Sequence, residues 1–428
     1  VNGSIAIITL NATPVNSLGH GLRKAINDAF EKATNDAEVE AIVVTSAVKL
    51  FCGGADITEI GTDRAFAEPN LPYLCDTLEA SSKPVVAAIN GMALGGGLEL
   101  ALGADYRFAH PVAKLGLPEV NLGILPGAGG TQRVPRLAGV PLALKMITSG
   151  APISAVEAQQ AGLVDQLFDG EGDFVDAAVA YAEQLLESGA PLKSCADIEV
   201  DTSELADNYF EEFAAGLARK TRGYFAPAKC IEAVQIATTT PLAEGLKREG
   251  ELFAECADTP QARAQQHLFF AERAAGVIPG VDPKVALRDV RKVAVIGAGT
   301  MGGGIAMNFA NAGIPVTLLE IKQEFLDNGL AKVRQNYEIS AKRGRMTQDD
   351  VEQRMSLFSG TTDYADLADV DLVIEAVFES MEVKQQVFKQ LDAVCKPGCI
   401  LASNTSTLDV NEIAAVTKRP EDVLGLHF

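Results

Sequence analysis

No stretch of the 428-residue chain approaches the roughly 18 uninterrupted apolar residues of a membrane-spanning helix, so a membrane span is not expected. Net positive charge is lacking as well. Lys and Arg number 36 against 57 Asp and Glu, and the balance of −21 argues against nucleic acid or an anionic membrane as partner. Cysteine is sparse and unpaired. The seven residues (52, 75, 195, 230, 256, 395 and 399) are odd in number, none forms a CxxC pair, and only four histidines accompany them. A structural metal and a disulfide framework are therefore not expected, and a reducing compartment is the simpler reading. The opening residues, VNGSIAIITL, lack a basic region before the apolar run and a small-residue cleavage site, so they do not read as a signal peptide. An initiating Met is missing too, and the chain stops after an apolar GLHF. Both ends read as cut.

What is present describes a soluble globular protein, 47% hydrophobic and 22% charged, too long for one ordinary core. Ser4–Leu10 reads as a strand, VNSLGHGLRKAINDAFEKATND as a helix with Leu18, Leu22, Ile26 and Phe30 on one face, and 39–46 as a buried strand. Residues 62–82 read as helical and KPVVAAINGMA as one further strand. Strands alternating with helices give an α/β class. The densest stretch is Asn90–Arg133, where Gly95, Gly96 and Gly97 follow an apolar run. Glu99 lies close to a helix start, and Glu119 follows twenty positions later. Amides freed at a Gly-rich turn can hold a developing oxyanion, and two carboxylates facing them can divide acid and base work. Arg133 and Arg136 are read as surface charges, with a ligand-facing role as the alternative. Ser154 and Glu157 have the spacing of a capping box. From 171 to 289 the sequence is Ala- and Glu-rich and helical, with no catalytic constellation visible. It ends in a Pro/Gly linker.

A second site begins at Arg291. KVAVI is followed by Gly297-x-Gly299-x-x-Gly302, a helix, another strand and Glu320. That context is the dinucleotide-binding fingerprint. Gly297 permits the tight turn, Gly299 lets a pyrophosphate approach the Met301 amide, and Gly302 lets helix and strand pack closely. Glu320 would accept ribose hydroxyls and repel a 2′-phosphate, so NAD is expected rather than NADP.

GMALGGGLELALGADYR with LPEVNLGILPGAGGTQR resembles the enoyl-CoA hydratase/isomerase (crotonase) superfamily. The resemblance implies a crotonase-type ββα spiral domain and CoA thioester substrates. Its oxyanion hole would be the amides of Ala55, from FCGGADITEI, and Gly96. Its catalytic acids would be Glu99 and Glu119. The later part, with DLVIEAVFES, SNTST and GLHF, resembles the NAD-binding domain of L-3-hydroxyacyl-CoA dehydrogenases. There the resemblance implies that Glu379 and Lys384 line the nicotinamide side, that Ser406 contacts substrate or cofactor, and that His427 is the general base. A carboxylate that orients this His in the family does not follow it here, so a weak dehydrogenase is expected.

The order of parts resembles multifunctional β-oxidation proteins. The expected architecture is a crotonase core over 1–190, a helical extension and linker over 191–289, and a Rossmann doubly wound parallel-sheet domain over 290–428. The expected chemistry is hydration of trans-2-enoyl-CoA followed, in the complete protein, by NAD-dependent oxidation, with Δ3-Δ2 isomerisation as a side activity. An isomerase, or an acyl-CoA-binding protein with an inert dehydrogenase half, is the alternative. The resemblance also implies a monomer, with a thiolase as candidate partner. A bacterial cytoplasm is favoured by composition, with the peroxisome as alternative.

Overall fold

A computed structural model describes residues 2–282 and 284–428. They divide into two compact units, Val1–Gly280 and Val281–Phe428. The helical segment up to residue 280 thus groups with the first unit.

In the first unit, aliphatic and β-branched runs form five parallel strands. Their order is Ile5–Leu10, Ala41–Ser46, Val85–Ile89, Tyr106–Ala109 and Gln166–Leu167. The period of two sends Ile42, Val44, Val85 and Ala87 into one core and Ala41, Val43, Val86 and Ala88 into another. Both faces are covered, which is why these strands read as continuous apolar runs rather than alternating ones. A smaller sheet joins Met92–Leu94, Lys114–Gly116 and Ile153–Ser154.

Three local expectations change. KPVVAAINGMA is two strands in two sheets. The chain turns at Asn90–Gly91, where a Cβ on Gly91 would lie 2.4 Å from the Lys49 carbonyl. Residues 62–82 form two helices, Asp63–Phe66 and Leu71–Glu79. The break falls at Pro69, and Asn70 caps the second helix through a hydrogen bond from the Tyr73 amide, 2.9 Å. Ser154 does cap its helix, accepting from the Glu157 amide at 3.1 Å. Glu157 pairs with Lys145 instead of reaching back, so half of the capping box is made.

The second unit has six parallel strands in the order Phe358–Thr361, Val316–Leu319, Val293–Ile296, Leu372–Glu375, Ile400–Ser403, Val423–Gly425. The first strand in sequence, Val293–Ile296, lies between the second and the fourth. This is the topological switch point of a doubly wound sheet. Ile305 and Ala306 of helix Thr300–Asn311 pack on one face of it, and Phe388 and Leu391 of helix Met381–Val394 on the other.

Candidate active site

Two glycine turns meet at the edge of the smaller sheet. The Cys52 amide donates to Met92 O (3.1 Å) and the Leu94 amide to Cys52 O (3.0 Å), which ties the 51–55 turn to strand Met92–Leu94. Gly54 has φ +101 and Gly95 φ +52, conformations that a side chain would strain. A Cβ on Gly96 would stand 3.2 Å from the Ala55 nitrogen, so the two predicted oxyanion amides are neighbours. Among the described residues neither amide donates to a protein acceptor.

Beside these turns lie three buried carboxylates. Glu99, 2% exposed, accepts at one oxygen from the amides of Ala128 (2.8 Å) and Gly130 (2.9 Å). Glu119 lies against Gly95, whose added Cβ would meet its Oε1 at 2.7 Å. The other oxygen, Oε2, is buried with no hydrogen-bond partner among the described residues. The third carboxylate, Glu249, escapes the sequence reading. It accepts from the Gly129 amide (2.6 Å), the Thr131 amide (2.9 Å) and the Thr131 hydroxyl. A periodicity argument could have found it. Leu242, Gly245, Glu249, Leu252 and Cys256 form the buried stripe of helix Leu242–Ala257, and a glutamate on such a stripe needs partners.

Burial raises all three above the usual carboxylate range. For Glu99 the Ala128 and Gly130 amides oppose the rise, and Arg133 adds to that opposition. For Glu119 the Glu99 charge adds to burial and the group rises well above 4.5. Burial and Glu99 push Glu249 up to about 8 against its donors. The linkage sign follows. A carboxyl whose folded pKa exceeds its unfolded value contributes stability that is full below about 4.5 and lost as pH rises through the folded value. Relative to Glu249→Gln, the parent chain is therefore expected to lose stability between pH 5 and pH 8 in thermal melts. A parent that gains over that range contradicts the assignment.

Arg133 and Arg136 are not surface charges. Arg133 is 0% exposed and Arg136 8%. Arg133 pairs with Asp76 (2.8 Å) and Glu79 (2.7 Å) and donates to the Ala128 carbonyl (3.0 Å). Arg136 donates to the carbonyls of Gln132 and Thr240. Their partners come from other elements, which no local pattern announces. Arg133→Ala would remove the guanidinium paired with the half-buried Glu79, which would keep the Ser194 hydroxyl and the Cys195 amide as donors, and is expected to cost about 3 kcal/mol. Chemical denaturation checks this, and a loss under 1 kcal/mol would contradict it.

In the second unit Gly297 has φ +99 and sits under the Ala376 carbonyl. A Cβ on Gly302 would fall 1.8 Å from the Gly297 carbonyl, whereas one on Gly299 meets nothing within 4 Å. Gly299 caps helix Thr300–Asn311, so the Met301 amide lies in its first turn. The loop is thus closed behind and open in front, as a pyrophosphate cradle requires, and these residues fit NAD. Glu320 follows strand Val316–Leu319, and its carboxylate accepts from the Ala298 amide of the glycine turn (2.9 Å).

Lys384 is 1% exposed and lies between Glu375 (2.7 Å) and Glu379 (3.1 Å). Glu375, absent from the sequence reading, also accepts from Ser403 (2.7 Å). Glu379 accepts from Thr405 (2.5 Å) and from the Ser406 amide (3.1 Å). Burial opposes the Glu379 charge, yet the bonds from Thr405 and Lys384 outweigh it and hold the group at about 2. Ser406 and His427 are both exposed, Ser406 beyond strand Ile400–Ser403 and His427 beyond strand Val423–Gly425.

A family model described as enoyl-CoA hydratase/isomerase matches residues 1–221. A second, described as the NAD-binding domain of 3-hydroxyacyl-CoA dehydrogenase, matches 292–428. The peroxisomal bifunctional enzyme of Danio rerio is 45% identical over 434 residues, covering 100% of this chain and 59% of that protein. The human protein of the same name is 41% identical, with 100% and 59% covered. The glyoxysomal fatty acid beta-oxidation multifunctional protein MFP-a of Brassica napus is 39% identical, with 99% and 60% covered. The chain therefore spans about three fifths of the length of these relatives. It belongs to the enoyl-CoA hydratase/isomerase family, with a crotonase-fold unit fused to a unit that matches the NAD-binding domain of 3-hydroxyacyl-CoA dehydrogenase.

Proposed function

We propose that the first unit adds water to a trans-2-enoyl-CoA to give the L-3-hydroxyacyl-CoA. The observation that carries this reading is the unequal treatment of two buried carboxylates beside two free amides. Glu99 accepts two amide hydrogen bonds, which favour its charged form. Glu119 has an oxygen that no group donates to, which favours its protonated form. The thioester oxygen is held by the Ala55 and Gly96 amides, each worth roughly 3 kcal/mol as charge develops there. Glu99 and Glu119 orient a water for attack at C3, Glu99 takes its proton, and Glu119 delivers one to C2. Crotonyl-CoA tests the reading. Its conjugated absorbance should fall as 3-hydroxybutyryl-CoA forms, and a folded chain that leaves it unchanged would count against hydration. The partnerless oxygen of Glu119 also supports a second reading, Δ3-Δ2 isomerisation with Glu119 alone carrying a proton between C4 and C2. A trans-3-enoyl-CoA offered separately tests it.

For the second unit we propose NAD binding at Gly297, Gly299, Gly302 and the Met301 amide, with Glu320 turning to the adenine ribose. NAD, when bound, supplies the hydride acceptor for oxidation to the 3-oxoacyl-CoA in the complete protein. His427 would take the hydroxyl proton and Ser406 would hold the substrate oxygen. Lys384, buried between its two glutamates, supports the position of Glu379, which in turn fixes the Ser406 backbone. The acidic, Ala-rich composition supports a bacterial cytoplasm, whereas the names of the relatives support a peroxisome.

A further inference from the structure

Four consecutive amides open helix Gly130–Ala138, and they are shared alternately between two carboxylates. Ala128 and Gly130 donate to Glu99, whereas Gly129 and Thr131 donate to Glu249. Glu99 comes from helix Gly96–Leu102 and Glu249 from helix Leu242–Ala257, more than a hundred residues further on. That distant helix reaches the turn because Gly245 leaves room: a Cβ there would lie 2.1 Å from the Gln132 side-chain oxygen. Glu249 is 1% exposed, and its two oxygens take three donors.

We infer that Glu249 is a positioning residue for hydration, clamping the 128–131 turn so that Glu99 is held in register and, once ionised, opposing loss of the proton from Glu119. This rests on the hydratase reading above. The first half of the inference is geometric. The turn cannot shift toward or away from Glu99 without breaking the bonds that Gly129 and Thr131 make to Glu249. The second half is electrostatic. The groups facing Glu249 are Glu99, Glu119 and Cys75; Arg133 faces Glu99, and Cys230, its thiol pushed up by burial, faces Glu119. Arg133 is matched by Asp76 and Glu79, and burial pushes the Cys75 thiol up so that it stays neutral. Above about pH 8, where Glu249 ionises, its negative charge opposes ionisation of Glu119.

Glu249→Gln keeps the size of the side chain but points an NH2 at amide or hydroxyl donors and removes the charge. For crotonyl-CoA hydration by the full chain, kcat is expected to fall roughly ten- to a hundred-fold, with KM changed far less. The alkaline limb of the kcat profile is expected to move to lower pH by about one unit, because Glu119 gives up its proton earlier. A structural role alone would lower the active fraction without moving the limb. If Glu249→Gln does not fold, Thr131→Val removes one donor to the same carboxylate and is expected to lower kcat and displace the limb. A folded variant with kcat and limb unmoved overturns the inference. A parent chain with no hydratase activity overturns the hydratase reading instead, so the two failures are distinct.

Discussion

Glu119→Gln is expected to lower the rate of crotonyl-CoA hydration by about 10²- to 10⁴-fold while leaving the fold intact. The substitution preserves volume, and the carboxyl it replaces is one that burial and the Glu99 charge already hold toward the neutral form. An uncharged amide therefore adds little cost to the interior. What it loses is the proton that must reach C2. Because the thioester contacts lie at Ala55 and Gly96, KM should change much less than kcat, the pattern of an interaction made in the transition state. Steady-state kinetics checks this, and a variant retaining more than a third of parental kcat would remove Glu119 from the chemistry.

Gly302→Ala should abolish NAD binding in calorimetry. The added Cβ would fall 1.8 Å from the Gly297 carbonyl, and that atom cannot retreat because its turn is anchored. The Gly297 amide donates to Leu319 O at 2.8 Å, and the Ala376 carbonyl lies above the glycine. Helix Thr300–Asn311 must therefore move off strand Val293–Ile296, at a cost of roughly 3 kcal/mol or more, and the Met301 amide moves with it. Hydration in the first unit should persist. A variant that binds NAD like the parent would contradict the proposed cradle. Gly299→Ala makes a useful contrast, since its Cβ meets no protein atom and would obstruct only a bound ligand.

These effects differ in how visibly they were written in the chain. The glycine turns were legible because a positive φ or a close approach is a demand on the residue itself. Gly54, Gly95, Gly297 and Gly302 announce their conformations locally; the fingerprint spacing then points to Met301, and the crotonase resemblance to Ala55 and Gly96. The doubly wound sheet was legible for a similar reason, as the fingerprint specifies a strand before it and a helix after it. Arg133 was not legible, because its burial depends on Asp76 and Glu79, the latter 54 positions away. Glu249 was less so, with donors 118 and 120 positions away. Its helix carries an apolar stripe that reads as ordinary packing until one asks why a glutamate shares it. Lys384 followed the same rule. The family pattern suggested a cofactor-facing side chain, and the buried Glu375 at the end of strand Leu372–Glu375 turns the ammonium inward.

The most direct measurement is hydration of crotonyl-CoA by the full chain in heavy-oxygen, deuterated water, with the product analysed by mass. The account predicts 3-hydroxybutyryl-CoA carrying solvent oxygen at C3 and solvent hydrogen at C2, formed by the parent and nearly absent with Glu119→Gln. A folded parent that returns crotonyl-CoA unlabelled, or equal labelling by both proteins, would contradict it.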